Sequence, residues 1–229
     1  MCRRRRARRT RSSLSLAAVA LLATLTGCAS TISGSAEPAP GDATTTAPAA
    51  PTACAPTDLT TCLMAVPTGA QQWAQPYAPD GPLTMQQFLD RIYFDQNATQ
   101  KQSVTQQLQA QGLRTIAHQS WHATNSDDSD LLLFDFGAAA GATSRTSQQV
   151  SAYTGDPQYK RVSMPDLAAA KVSVFRLATV DDQDQVAVIA LAAFGPVAMQ
   201  FFFWSNATLD SATLESYLKQ EIAILGPLH

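Results

Sequence analysis

After residue 84, apolar positions either alternate or recur with helical spacing along most of the chain, whereas between residues 29 and 53 they do neither. Thr84 followed by Gln87 forms a capping box, and Met85, Phe88, Leu89 and Ile92 recur every three or four residues, which predicts a helix from 84 to about 95. Thr99 to Gln111 is glutamine-rich with Val104 and Leu108 as its apolar contacts, and Gly112 is a stop signal, so a second helix follows. Arg114 to Thr124 and Leu131 to Phe136 read as strands flanking the polar cluster Asn125 to Asp130, the natural form of a hairpin. Ala138 to Tyr153 is rich in small residues and helical in tendency, ending at Gly155-Asp156-Pro157. Lys171 to Val180 and Gln185 to Phe194 make a second hairpin around residues 181–184, and Val197 to Trp204 follows Gly195-Pro196 as a further strand. A last helix starts at Asp210 or Ser211, carries Leu214, Leu218, Ile222 and Leu225 on one stripe, and stops at Gly226-Pro227.

Helices first and last, hairpins between them and one central helix predict an α+β fold. Its expected form is an antiparallel sheet of about five strands with helices packed mainly on one face and a terminal helix at the C-terminus. The globular part spans 54–229, a length that suits one domain. Asp58 to Leu63 reads as a short helical turn, and Pro76 to Pro82 as turn-rich connection with Trp73 and Tyr77 packed on the surface. Residues 28–53 are nearly all Ala, Thr, Ser, Pro and Gly, so they cannot bury enough apolar surface to fold. Such a tether reaches about 25 to 30 Å.

The N-terminus has its own pattern: seven arginines between Arg3 and Arg11, an apolar segment from Leu14 to Leu25, then Thr26-Gly27-Cys28. That is the anatomy of a secretory signal, and its apolar segment falls short of the roughly 20 residues that span a bilayer. Leu25-Thr26-Gly27-Cys28 resembles the lipobox of bacterial lipoproteins. The resemblance implies cleavage after Gly27, a diacylglycerol thioether on Cys28 and a protein held by its lipid on the extracytoplasmic face of the cell membrane. The order of elements in the folded part is similar to small α/β sandwich domains of actinobacterial lipoproteins, including the Mog1/PsbP-like kind, a resemblance that implies binding or scaffold roles.

Removing residues 1–27 changes the charge: nine basic side chains remain against eighteen acidic ones, a formal charge of about −9. With no concentrated Lys and Arg, nucleic acid is excluded as a partner. Docking along anionic head groups is equally disfavoured, which leaves the acyl chains to hold the protein at the membrane. With Cys2 removed and Cys28 taken by lipid, Cys54 and Cys62 remain in an oxidising compartment. A disulfide between them is the leading reading, two unpaired thiols the alternative. It would close a loop of about nine residues, for which the chain-entropy model gives roughly 2 to 3 kcal/mol.

His118 and His122, with Asp127, Asp128 and Asp130 behind them, form the densest polar group. In an extended strand, residues four apart are separated by about 13 Å, too far for one ion to be shared. The aspartates fall in the expected turn, where Asp bonds its own backbone. No metal site is assigned on this basis, and no catalytic residue, since neither Gly-x-Ser-x-Gly nor a phosphate loop occurs. No cofactor is implied. In Phe201-Phe202-Phe203-Trp204, alternation sends Phe202 and Trp204 to one face; either this is a central core strand, or Phe202 and Trp204, joined by Trp121 or Trp73, line a ligand groove. The expected function is a lipid-anchored binding or accessory module of the cell envelope, its partner an envelope lipid, glycan or protein. The alternatives are a structural or sensor-partner lipoprotein, or a cell-envelope hydrolase built on His118 or His122 with Ser and Asp.

Overall fold

The computed structural model describes residues 54–72, 80–123, 127–180, 185–206 and 208–228. The expected signal peptide, Cys28, the expected tether, Trp73, Tyr77 and the expected turn at 181–184 lie outside the described residues.

Among the described residues, eight strands form a single antiparallel sheet: β1 (Gln71–Gln72), β2 (Gly81–Leu83), β3 (Thr115–His122), β4 (Asp128–Asp135), β5 (Tyr159–Val162), β6 (Ser173–Leu177), β7 (Gln185–Phe194) and β8 (Val197–Asn206). They lie in the order β1-β3-β4-β8-β7-β6-β5, with β2 also paired to the outer edge of β3. The expectation of about five strands is therefore corrected to eight. All five long strands are present; the three additions are two to four residues long, too short to display an alternating pattern. Between β7 and β8 the chain reverses through Gly195, whose φ of 51° is left-handed and open to glycine at little cost.

Among the described residues, four α-helices accompany the sheet: α1 (Met85–Ile92), α2 (Ala98–Ala110), α3 (Ala139–Gly155) and α4 (Ser211–Leu225). The capping box read from Thr84 and Gln87 is formed, and α2 has one of its own between Asn97 and Gln100. Asp210 caps α4 by accepting from Thr213 N–H, a type of bond whose loss costs about 1 kcal/mol. Three helices do share one face. Phe88 and Leu89 of α1, Leu108 of α2 and Ala142 and Tyr153 of α3 pack there on Ile116, Leu132, Phe134, Ile189 and Phe202. The opposite face is not bare, however: Leu214, Leu218 and Leu225 of α4, with Leu59 and Leu167 from 3-10 turns and Met64 just after the first of them, cover Ala117, Trp121, Leu133, Val188, Phe201 and Phe203. The sheet is thus the middle layer of three. That is why Leu131 to Phe134 and Val186 to Phe194 are apolar on both sides instead of alternating.

One close approach fixes the height of α3 over the sheet. A Cβ on Gly141 would stand 2.2 Å from the Gln111 carbonyl oxygen and 2.7 Å from Phe136 Cβ, so only glycine lets the first turn of α3 sit this low. Arg145, four residues on and on the same side of the helix, is carried into the interior with it.

Candidate functional site

The polar cluster singled out in the sequence becomes a site through strand register. Cross-strand partners share a face: His118 lies opposite Leu132, Ser120 opposite Asp130, and His122 opposite Asp128. Continuing to β8, Gln200, Phe202 and Trp204 extend the same three rows. Asp128 and Asp130 are therefore strand residues and not part of the hairpin turn, which is a correction to the sequence reading. Their carboxylates find histidines across the strand pair instead of bonding the local backbone.

His118 is fully buried. Its Nε2 lies 2.5 Å from Asp130 Oδ1, and its Nδ1 is 3.7 Å from Asp80 Oδ1, the carboxylate just before β2. Asp130 also takes two bonds from α1, from Arg91 Nη2 at 2.7 Å and Nε at 3.2 Å, both on Oδ2. Asp80 Oδ1 accepts from the Ser120 backbone N–H at 2.9 Å and stands 3.4 Å from Ser120 Oγ. Burial pushes the Asp130 carboxyl up, but the charges of and hydrogen bonds from His118 and Arg91 outweigh it and hold the group below the usual carboxylate range. At the rim, His122 Nδ1 and Asp128 Oδ1 are 2.6 Å apart, with His122 exposed.

Chemically, Asp80, Ser120, His118 and Asp130 are the parts of a nucleophilic hydrolase, but they are not in its order. A general base must present a nitrogen to the serine hydroxyl. Here Asp80 stands beside Ser120, and both imidazole nitrogens of His118 face carboxylates. Two acidic and two basic side chains compensate each other, and they join β2, β3, β4 and α1. That arrangement is a buried ionic clamp, suited to fixing the edge of the sheet. Among the described residues, no group of three His, Cys, Asp or Glu side chains could hold a metal ion.

The aromatic groove expected from Trp121, Phe202 and Trp204 is divided by the sheet. Trp121 aligns through Ser129 with Phe203, not Phe202, so it faces α4 and packs edge-on to Tyr217 at 5.5 Å. On the other face Phe202 stacks on Trp204 at 5.7 Å, with Phe202 buried and Trp204 half-buried. The three side chains do not share one groove.

The cysteines pair as the leading reading expected: Cys54 and Cys62 form a disulfide. It closes the segment entering the domain, and two residues beyond it Met64 N–H donates to Glu221 Oε2 of α4 at 3.0 Å. Glu221 is buried, and the other carboxyl oxygen, Oε1, has no hydrogen-bond partner. Burial pushes this carboxyl up to about 8, against the lowering effect of the Met64 bond, so it carries its proton at neutral pH.

Asp80, Arg91 and Glu221 were not candidates on sequence alone. Each reaches its partner across tens of residues, and no local spacing marks it. No family model, curated protein or solved structure matches this chain. No helix among the described residues is long and apolar enough to cross a membrane.

Proposed function

We propose that this chain is a lipid-anchored binding or accessory module on the extracytoplasmic face of the cell envelope. The observation that carries the reading is the order of features at the N-terminus: a basic and apolar leader, Leu25-Thr26-Gly27-Cys28, a Pro- and Ala-rich tether, and then the Cys54–Cys62 disulfide where the folded domain begins. The disulfide adds support independent of the leader, since such bonds persist in oxidising compartments. Binding is favoured over catalysis because the Ser120-His118-Asp130 group is arranged as a clamp in which both imidazole nitrogens face carboxylates.

Mass spectrometry of the native protein tests the anchor. A diacylglyceryl Cys28 as first residue, with Cys28→Ala shifting the protein from the membrane to the soluble fraction, is the expected result. A Cys28→Ala protein that still sediments with membrane removes the proposal.

A further inference from the structure

Only nine Lys and Arg side chains follow residue 27, and Arg145 is the one carried deep into the core without a counter-charge. It is 4% exposed, and among the described residues no carboxylate lies within ion-pair reach of it. Its polar contact is a single one, Nη2 donating to the Tyr93 hydroxyl at a long 3.3 Å. The guanidinium carbon lies 5.7 Å from the centre of the Phe134 ring, and Nε has no partner. Arg91 uses the same two nitrogens, Nε and Nη2, to clamp the Asp130 carboxylate.

An arginine keeps its proton under all ordinary conditions, so unlike a buried lysine or glutamate it cannot escape burial by becoming neutral. Proteins pair buried charges because an uncompensated one is strongly unfavourable. A ring face and one phenol oxygen meet that need only in part. We propose that Arg145 is the anchor of a binding site for an apolar monocarboxylic acid, and that the Tyr93 hydroxyl holds the place of a carboxylate oxygen. One cation calls for one negative charge, which favours a carboxylate over a phosphate monoester. The planar fork accepts two carboxylate oxygens at once. Around it stand Phe88, Phe134 and Tyr153, which select an apolar body next to the charged head. Burial, then the neighbouring Tyr159 and Tyr93, push the Tyr153 hydroxyl above its usual range, so it stays a proton donor.

Entry is through the turn between α1 and α2. Tyr93 is the C-terminal cap of α1, and the next residue, Phe94, is one of two large apolar side chains exposed among the described residues. Swinging this turn outward withdraws the Tyr93 hydroxyl from Arg145 and opens the space it filled, with Phe94 at the lip to meet an apolar ligand.

The site deepens the binding-module reading by naming a ligand class, and its test does not depend on the anchor. Calorimetric titration of the full chain carrying Cys28→Ala would use oleate and 4-phenylbutyrate as acids of two shapes, with oleyl alcohol as the uncharged control. One-to-one binding of at least one acid is expected, at least tenfold weaker in Arg145→Met, with oleyl alcohol at least tenfold weaker than oleate in the parent and equal to it in the variant if oleate is the acid bound. Arg145→Lys should recover part of the affinity. If Arg145 is only a packing residue, Arg145→Met unfolds at lower denaturant than the parent, which would overturn the proposal. So would equal affinity of parent and variant for the acid, or no saturable binding of either acid below 1 mM, a weak limit of about −4.1 kcal/mol.

Discussion

Two guanidinium groups approach the same face of the sheet, and they are treated in opposite ways. Arg91 enters from α1 and meets Asp130, itself shared with His118, while Asp80 faces the imidazole from the other side. Arg145 enters from α3 and meets a ring face and a phenol. Arg91 has a carboxylate partner in Asp130, and the group ties α1 and β2 to the sheet. Around Arg145 a positive charge is left over. The difference separates what the fold requires from what it merely tolerates: a compensated cluster explains itself through stability, whereas an uncompensated one calls for another explanation. Glu221 on the far face shows a third solution, since a carboxyl can take up a proton where an arginine cannot give one away.

The largest expected effect comes from unbalancing the compensated cluster. Asp130→Asn should leave the Arg91 guanidinium without the buried carboxylate it clamps and destabilise the domain by roughly 3 to 5 kcal/mol, read from urea midpoints at pH 7. Since the Asp130 carboxyl is held below its usual range, its contribution is fully present above the unfolded value near 3.9 and is lost as pH falls through the lower folded value. The parent should therefore lose more stability than Asp130→Asn on acidification below pH 4.

Next in size is Glu221. Its folded value, about 8, lies above the unfolded one, so the folded state holds a proton that the unfolded state releases. Stability is highest below about pH 4.5 on this account and declines as pH rises towards 8, by up to a few kcal/mol at about 1.4 kcal/mol per pH unit. Glu221→Gln should flatten that slope between pH 5 and 8, and parallel curves for parent and variant would refute it. Reducing the Cys54–Cys62 disulfide should lower the urea midpoint by an amount equivalent to roughly 2 to 3 kcal/mol.

The smallest effect sharpens the comparison most. Arg145→Met should be neutral or stabilising by about 1 kcal/mol, whereas the same change at Arg91 should cost about 3 kcal/mol, as expected when one partner of a buried pair is removed. Equal losses at the two positions would erase the distinction.

The elements that bury a long, regular face could be read from their order of residues. Met85 to Ile92 with its cap and the stripe of α4 are examples, as are the long strands β3, β7 and β8. The short edge strands could not be read, because Gln71–Gln72 or Gly81–Leu83 has no period to display and pairs only with β3. Asp128 and Asp130 misled for a chemical reason: the residue types that favour turns are also those that hydrogen-bond a histidine across a strand pair. Alternation within β8 was legible, yet the side on which Trp121 falls depends on two successive pairings through β4, which no local pattern encodes. Arg145 had no signal at all, since its burial follows from the close contact of Gly141 one turn earlier.

The Cys54–Cys62 bond has a mechanical consequence. Tension applied to the residues before Cys54 would bypass the loop from 55 to 61, because the covalent link offers a shorter path to Cys62. From there it would pass through Met64 into α4, the last helix, so the two ends of the domain resist a pull together. Under strain the 3-10 turn at Leu59–Cys62 would stay slack, since the disulfide carries the load around it.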